Sequence, residues 1–344
     1  MPRVGVDATS VSPAGKGHAR SQRRLVESLA ALGRYDVVAY VRTPEAAALL
    51  PGVETVVLGP GKAVVWEQVG MRRALRGLDA FVTLADRLPI GAEGRIVVWL
   101  FELPTHRIEE NRRRGAGVYQ RGSDTLTSAL WRRSLRRAAR VVAGSQATAS
   151  ELGDGVPVVY PAADSGFGPG PGREGRFVFH LSSSDPRDNT ETVLAAFARL
   201  DTDAELLVGG GLGDREAELR ALAGPNMRLL GRVSDEELVA MYRGALAYVD
   251  ATLYEGFGYQ LLEALACGAP VVASDRSSIP EVVGDAGLLC DPLDPDALGG
   301  ALARVLDEEG LAADLRERGF AQAARFTWAR TAEGFGAVLD DVLA

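Results

Sequence analysis

The chain has 344 residues, with 47% hydrophobic and 24% charged side chains, a globular composition whose length predicts two domains. Its net charge of −8 argues against a general nucleic-acid-binding protein. No run of about 18 apolar residues predicts a transmembrane helix, the N-terminus lacks the order of a signal peptide, and Cys267 and Cys290 are too few for a disulfide framework, so a cytoplasmic protein is expected.

Short strands alternate with helices in the first half of the chain. Apolar and β-branched runs predict strands at Val4–Val6, Asp36–Val41, Val53–Leu58, Ala80–Leu84, Ile96–Leu100 and Val141–Gly144. Apolar residues at helical spacing predict helices over Ser21–Leu32 and Leu126–Ala139. This alternation predicts a parallel α/β sheet, which we assign to a first domain of residues 1–168.

The same plan restarts after a Gly- and Pro-rich segment, Asp164–Gly175, which is the best linker candidate in the sequence. Strands are predicted at Phe177–Leu181, Glu205–Val208, Arg228–Leu230 and Ala247–Asp250, and helices at Thr190–Leu200, Asp214–Ala223 and Asp235–Gly244. Two doubly wound parallel-sheet domains, 1–168 and 169–326, are therefore expected. Such sheets bind ligands at the carboxyl ends of their strands, so we expect the site in a cleft between the domains.

The most informative segment follows the last of these strands. Its loop carries the carboxylate of Glu255 and the glycines Gly256 and Gly258, which permit close approach of the backbone to a ligand. A helix predicted to begin near Tyr259 offers a phosphate its N-terminal N–H groups. A second carboxylate, Glu263, lies on the first turns of that helix, and a carboxylate can accept hydrogen bonds from vicinal hydroxyls. The segment is therefore suited to a nucleotide sugar.

This segment resembles the C-terminal signature of glycosyltransferase family 4, a retaining family with the GT-B fold. The family's motif is a glutamate, seven residues and a second glutamate, with Gly-Phe-Gly after the first, as in Glu255–Glu263 here. The following residues Ala264–Ser274 and Pro280–Val283 also fit. The resemblance implies two Rossmann-like domains facing a central cleft, and a last helix, 327–344, that crosses back onto the first domain.

The resemblance also implies roles for individual residues. Glu255 would contact the transferred sugar, Glu263 would bind the ribose, and the backbone at Phe257–Tyr259 would face sugar and phosphates. Gly15-Lys16-Gly17 looks like the family's glycine loop, or is a simple loop. The donor-binding candidates are Gly15, Lys16, Gly17, Ser183, Arg187, Gly256, Phe257, Gly258, Tyr259 and Glu263. Neither a metal nor a cofactor is expected, since no Asp-x-Asp follows a strand in a suitable place.

The loop after Phe177–Leu181 departs from the family. The family commonly places an arginine and a lysine there to neutralise the donor diphosphate, and the alignment puts Ser183 and Asp188 at these positions. Hydrogen bonds to charged groups contribute about 1.5–3 kcal/mol each, so the loss of two cations matters. Three readings stay open: Arg187 or Lys16 substitutes, the donor has fewer or differently placed phosphates, or the enzyme is weak or degenerate.

Candidates for the acceptor side lie in the first domain. The family often has His-Asp after the strand that precedes Phe101-Glu102 of this chain. Glu102 could orient or deprotonate an acceptor hydroxyl or be a plain loop acid, and His106 could share that role or be solvent-exposed. In the second domain, His180 could face the cleft or be a hydrogen-bonded strand-end residue. The ten arginines of Arg107–Arg140 could contact an anionic acceptor or a membrane surface, or form the solvated face of a helix.

The sequence therefore predicts a metal-independent, retaining hexosyltransferase (EC 2.4) that moves a sugar from a nucleoside diphosphate sugar to a small-molecule or glycan hydroxyl. Natural-product or envelope glycan biosynthesis is the expected context. The alternatives are a transferase or phosphorylase that uses a sugar phosphate or an unusual donor, and a catalytically idle partner protein. An NAD-dependent dehydrogenase is disfavoured because Gly209–Gly213 lacks the G-x-G-x-x-G spacing.

Overall fold

The computed structural model describes residues 1–13, 15, 17–59, 69–85, 88–89, 94–103, 105–106 and 131–344. The chain divides into two compact units, the first comprising Met1–Pro161 with Thr327–Ala344 and the second comprising Ala162–Phe326. The boundary at 168/169 that the sequence suggests thus lies inside the second unit, as does the Gly- and Pro-rich segment predicted as a linker.

Among the described residues, six parallel strands form the sheet of the first unit. They are β1 (Arg3–Asp7), β2 (Asp36–Val41), β3 (Glu54–Val57), β4 (Ala80–Thr83), β5 (Ile96–Leu100) and β6 (Arg140–Ala143). Their spatial order is β3-β2-β1-β4-β5-β6, so the direction of winding reverses between β1 and β4. All five residues of β5 are buried, as expected for a parallel strand covered on both faces.

The sheet of the second unit, whose residues are all described, repeats this order. Its strands are β7 (Phe177–Leu181), β8 (Glu205–Gly209), β9 (Met227–Gly231), β10 (Ala247–Asp250), β11 (Val271–Ser274) and β12 (Gly287–Cys290). The spatial order is β12-β11-β10-β7-β8-β9, and all neighbouring strands are parallel. The winding reverses between β7 and β10, which opens a crevice at the carboxyl ends of these two strands.

Helices follow most of the strands. Those before the second unit are α1 (His18–Ala31), α2 (Pro44–Ala47), α3 (Met71–Ala74) and α4 (Gln146–Leu152). The second unit contains α5 (Thr190–Phe197), α6 (Glu216–Leu222), α7 (Asp235–Gly244), α8 (Tyr259–Cys267), α9 (Ile279–Val283), α10 (Pro295–Asp307) and α11 (Leu311–Ala323). The chain ends with α12 (Trp328–Leu343), which belongs to the first unit.

Capping side chains explain where several helices begin. Ser234 accepts a hydrogen bond from the N–H of Glu237 at 3.2 Å, and Glu237 accepts one from the N–H of Ser234 at 2.8 Å, so α7 starts with a capping box. Asp294 accepts from two N–H groups of the first turn of α10. Ser278 occupies the same N-cap position before α9, but its side chain makes no capping bond.

The last helix completes the core of the first unit. Phe335 and Leu339 of α12 are buried in the same cluster as Leu25 and Leu29 of α1. The hydroxyl of Tyr35, which follows α1, lies 3.0 Å from the Gly336 carbonyl oxygen and 2.6 Å from a carboxylate oxygen of α12. The N-terminal strands of the chain and its C-terminal helix therefore form one folding unit.

The doubly wound α/β fold class predicted from the sequence is confirmed. The predicted bounds of five elements are reproduced without change: Asp36–Val41, Ile96–Leu100, Phe177–Leu181, Asp235–Gly244 and Ala247–Asp250. The helix predicted over Asp214–Ala223 is divided into a 3-10 turn, Gly213–Arg215, and α6. Of the helix predicted over Leu126–Ala139, residues 131–137 are helical, and residues 126–130 lie outside the described part of the chain.

Candidate active site

Two loops meet at the crevice of the second sheet, one after β7 (Ser182–Asn189) and one after β10 (Ala251–Gly258). The backbone N–H of Leu253 donates to the carbonyl of Arg187 at 2.8 Å. The amide of Asn189 donates to the carbonyl of Ala251 at 3.0 Å and to that of Pro292 at 2.7 Å. These bonds fix the two loops against each other at the edge where doubly wound sheets bind ligands.

Glu255 lies in the loop after β10, where its backbone has no strand beside it. Instead, two serine side chains of the loop after β11 bind its polar groups. The N–H of Glu255 donates to Oγ of Ser277 at 3.2 Å, and Oγ of Ser278 donates to the Glu255 carbonyl at 2.8 Å. The Ser277 hydroxyl donates to the same carbonyl. The Glu255 side chain itself is half-buried.

The residues after Glu255 form the start of α8. Gly258 has φ 98°, a left-handed conformation that favours glycine, and no side chain caps the helix there. Phe257 is 1% exposed, and its ring packs against Tyr259 and Phe326 with centroid distances of 5.2 and 5.8 Å. Phe257 therefore anchors the loop with its ring and can offer a ligand only its backbone, while the start of α8 provides N–H groups and a positive dipole end.

Glu263 lies on α8 and is 7% exposed, an unusual position for a carboxylate. The pKa of Tyr242, on the neighbouring helix α7, is raised first by burial and second by the negative charge of Glu263. Burial also raises the pKa of the Cys267 thiol, at the end of α8, to about 11, so this cysteine is a buried thiol and not a nucleophile. A buried carboxylate on the first turns of a helix suits recognition of ligand hydroxyls.

The loop after β7 binds its own charges. The guanidinium of Arg187 pairs with the carboxylate of Asp185 at 2.8 Å. The carboxylate of Asp188 accepts from the N–H of Ser183 at 2.5 Å and from its hydroxyl at 2.7 Å. Burial raises the pKa of Asp188 in spite of these two hydrogen bonds. Ser183 and Arg187 thus lie at the expected edge, but their polar groups already have partners within the loop.

A second arginine close to this loop is also paired. Arg215 is 8% exposed, pairs with Glu191, and donates to the carbonyl of Asp185 at 3.2 Å. His180 does not face the crevice: it is fully buried, with Nδ1 2.9 Å from the Val249 carbonyl and Nε2 3.1 Å from the Thr190 hydroxyl. Of its two readings, the structure supports the hydrogen-bonded strand-end histidine.

The sequence alone does not predict the roles of three residues that hold this site together. Asn189 adopts φ 52°, and its side chain connects three loops. The sequence does carry a signal for this conformation, because asparagine tolerates the left-handed region better than most residues. Ser277 also has a positive φ, 58°, for which a serine gives no sequence signal. Ser278 looks like an ordinary N-cap in the sequence, and only the structure shows that its hydroxyl bonds to the loop after β10.

The remaining candidates belong to the first unit. Gly15 donates its N–H to the Ser12 carbonyl at 3.0 Å, and Gly17 is the N-cap of α1 with φ 52°. Lys16 lies outside the described residues. Glu102 follows β5 and is half-buried. His106 is not simply solvent-exposed, because its Nε2 lies 2.6 Å from a carboxylate oxygen of Glu151 on α4.

Most of the Arg107–Arg140 run lies outside the described residues. Within the helical residues 131–137, the arginines at 132, 133, 136 and 137 are exposed. Over the described ranges, no helix combines the length and the apolarity that crossing a membrane requires. Nor do three or more His, Cys, Asp or Glu side chains of the described part come together in a way that could hold a metal ion.

Comparison with known proteins finds similarity over the second unit. Residues 168–322 match the family described as glycosyl transferases group 1. O-antigen chain mannosyltransferase B of Escherichia coli is 36% identical over 161 residues, which are 44% of this chain and 42% of that protein. Phosphatidyl-myo-inositol mannosyltransferase of Mycolicibacterium smegmatis is 37% identical over 190 residues, 52% and 48% of the two chains. The matched region thus spans less than half the length of each relative.

A solved structure shows the fold of the whole chain. Anabaena Alr3699/HepE, crystallised in complex with UDP and glucose, superposes with a TM-score of 0.72 at 16% sequence identity, covering 99% of this chain and 100% of that one. At this identity the likeness concerns the fold alone. The chain has the two-domain GT-B fold, and the six-stranded sheets that its described residues form lie in the two Rossmann-like domains expected from the sequence.

Proposed function

We propose that this chain is a retaining glycosyltransferase that uses a nucleoside diphosphate sugar, because residues 168–322 match the family described as glycosyl transferases group 1. One observation carries the proposal. The half-buried Glu255, the uncapped start of α8 and the buried Glu263 follow one another at the carboxyl edge of the second sheet, beside its switch point. This is the order in which sugar, phosphates and ribose follow one another in a nucleotide sugar.

In this proposal each part of the site binds one part of the donor. The backbone of Phe257–Tyr259 and the dipole of α8 stabilise the diphosphate, both before and after the glycosidic bond breaks. Glu263 accepts hydrogen bonds from the ribose hydroxyls. Glu255 orients the transferred sugar and stabilises the positive charge that develops on it. We also propose that Gly15, Lys16 and Gly17, the glycine loop of the first unit, contact the donor.

The proposed reaction is a front-face displacement without a protein nucleophile. The bond between the anomeric carbon and the phosphate oxygen breaks, and the acceptor oxygen bonds to the same face of the sugar. The departing phosphate takes the acceptor's proton, so the products are a glycoside and a nucleoside diphosphate. Glu102 and His106 are the proposed acceptor-side residues, and no metal or cofactor is assigned to the reaction. The protein contributes positioning and charge stabilisation.

The names of the relatives support a proposal for the transferred sugar and for the product. Two relatives are mannosyltransferases, one of O-antigen chains and one of phosphatidyl-myo-inositol, so we propose a hexose such as mannose as the transferred sugar. We further propose an envelope glycan as the product and the cytoplasm as the compartment of the reaction. Contact with an anionic acceptor or surface through the arginines of Arg107–Arg140 is part of the same proposal.

One observation favours a second candidate function, an enzyme that uses a sugar phosphate or another unusual donor. Arg187 and Arg215, the arginines of the loop after β7 and its surroundings, are both paired with carboxylates, so the loop offers a diphosphate no uncompensated cation of its own. A donor whose single phosphate group lies elsewhere in the site, such as a sugar phosphate, does not need a cation from this loop. A catalytically idle partner protein would bind neither.

A thermal-shift experiment separates these functions. Saturating UDP, GDP or dTDP is expected to raise the melting temperature by several degrees, because a ligand bound at 100 times its Kd stabilises by about 2.7 kcal/mol. Glu263→Gln should abolish most of this shift, whereas Glu205→Gln, at the opposite edge of the sheet on β8, should keep it. A shift with mannose 1-phosphate alone would favour the sugar-phosphate enzyme, and no shift with any of these would favour the idle partner.

A further inference from the structure

Two consecutive serines in the loop between β11 and α9 depart from ordinary local rules. Ser277 has φ 58°, a left-handed conformation that a non-glycine residue rarely adopts and that only surrounding contacts can maintain. Ser278 is the N-cap residue of α9, where a serine normally accepts a hydrogen bond from the first turn of its helix. It makes no such bond, and its side chain is fully buried.

Both departures have the same result, which is a hydrogen bond to Glu255. The Ser278 hydroxyl donates to the Glu255 carbonyl at 2.8 Å in place of capping α9. The left-handed turn at Ser277 brings its hydroxyl onto the same carbonyl. Oγ of Ser277 also accepts a hydrogen bond from the Glu255 N–H at 3.2 Å. The two side chains therefore bind both backbone polar groups of one residue, as a neighbouring strand would in a sheet.

This arrangement fixes the backbone from which the Glu255 side chain extends. Glu255 is in a loop, and its nearest regular neighbours along the chain are Asp250, at the end of β10, and Tyr259, at the start of α8. Without the serines, its peptide could rotate, and the side chain would move with it. A misplacement of about 1 Å at a reacting centre can reduce a rate about 100-fold. Local strain retained against the stability of a protein is most often found at functional sites.

We propose that Ser277 and Ser278 are positioning residues that hold the Glu255 carboxylate in register with the sugar of the donor. The inference rests on the proposed function, because it gives Glu255 its role. It assigns the two serines no contact with the substrate. The serines act through the backbone of Glu255, so they should affect the rate of sugar transfer and leave the binding of the nucleotide to α8 and Glu263 unchanged.

The test measures kcat, KM and nucleotide affinity of four variants. The readouts are release of the nucleoside diphosphate from GDP-mannose and UDP-glucose, and calorimetric binding of UDP and GDP. Ser277→Gly removes the hydroxyl and relieves the left-handed strain. If this glycine variant melts early, Ser277→Asn takes its place in the test, because asparagine also tolerates the left-handed conformation. Ser278→Ala removes the second hydroxyl, and Ser278→Thr retains it.

The expected result is a separation of rate from binding. Ser277→Gly and Ser278→Ala should each lower kcat about tenfold or more and change the Kd of the nucleoside diphosphate less than about twofold. Ser278→Thr should restore kcat. In a Glu255→Gln background, neither serine substitution should lower kcat further, because the group that the serines position is already altered.

Each other outcome overturns a defined part of this account. Unchanged kcat in Ser277→Gly and Ser278→Ala refutes the positioning role while the proposed function stands. Equal losses of rate and nucleotide affinity mean that the serines only hold the loops together, which also refutes it. If the unsubstituted protein binds neither nucleotide and releases none from either donor, the proposed function fails and the inference fails with it.

Discussion

Loops follow the neighbouring strands β7 and β10 at the same edge of the second sheet, yet they use their polar groups differently. In the loop after β10, serines from a third loop bind the backbone N–H and carbonyl of Glu255. In the loop after β7, the side chains of Asp185 and Arg187 pair with each other, and Asp188 pairs with Ser183. Near this switch point, one loop is therefore held through its backbone and the other through pairs of its own side chains.

The difference teaches how to interpret a charged residue in a motif. Arg187 is a natural candidate for a phosphate ligand as long as the sequence alone is considered. Its pairing with Asp185, two residues earlier, means that a phosphate must compete with a carboxylate that is always present. The loop after β7 can be tested by removing the carboxylates that pair within it. The loop after β10 can be tested by removing the carboxylate of Glu255.

The largest effect is expected from the loop after β10. Glu255→Gln should lower kcat about 100-fold or more, because the amide lacks the negative charge that stabilises the transition state of sugar transfer. The Kd of the nucleoside diphosphate should change less than about threefold. Steady-state release of the nucleoside diphosphate and calorimetry measure the two quantities. Glu205→Gln is the matched control, and a kcat equal to that of the control would exclude Glu255 from the site.

A smaller effect, of opposite sign, is expected from the loop after β7. Asp185→Asn releases Arg187 from its ion pair, so the guanidinium can bind a phosphate, and UDP or GDP should bind about three to ten times more tightly. The gain should shrink at high salt. The double variant Asp185→Asn with Arg187→Ala should lose it. Weaker binding by Asp185→Asn alone would mean that Asp185 orders the loop and does not compete with the ligand.

The smallest effect concerns stability and pH. Burial raises the pKa of Asp188 above that of an unfolded aspartate, about 3.9. The folded protein therefore holds this proton to higher pH, and the free energy of unfolding falls as pH rises from the unfolded to the folded pKa. Asp188→Asn removes this decline, which amounts to about 1.4 kcal/mol for each unit by which the folded pKa is raised.

Urea unfolding of both proteins between about pH 4 and pH 8 measures this difference. Asp7 of the first unit, whose pKa burial also raises, is present in both proteins and cancels in the comparison. The stability of the unsubstituted protein relative to Asp188→Asn should decrease as pH rises. A difference that is constant over this range, or that increases with pH, would contradict the raised pKa.

The sequence predicted the sheets better than the loops for a physical reason. Buried parallel strands such as Phe177–Leu181 are continuous apolar runs, and α7 carries its own start signal in Ser234 and Glu237, so local patterns determine both. The short helices α2 and α3 have too few residues to show a period and were missed.

The site was predictable where a motif is continuous in sequence. Glu255 to Glu263 form one segment, so their common edge followed from a single strand, loop and helix. The contacts of Ser277, Ser278 and Asn189 join segments that are distant in the chain and depend on tertiary geometry, for which the sequence offered no spacing to recognise. His180 could not be assigned from the sequence because a strand-end residue can point into either layer.

The return of the chain to the first unit at Thr327 has a consequence for biosynthesis. The core around α1 needs Phe335 and Leu339 of α12, and the ribosome makes this helix only after all 165 residues of Ala162–Phe326. At about 5–20 residues per second, the N-terminal strands wait roughly 10–30 s for their last helix. During translation, the second unit can fold first, while the nascent first unit exposes an apolar face to chaperones and proteases until its C-terminal helix is released from the ribosome.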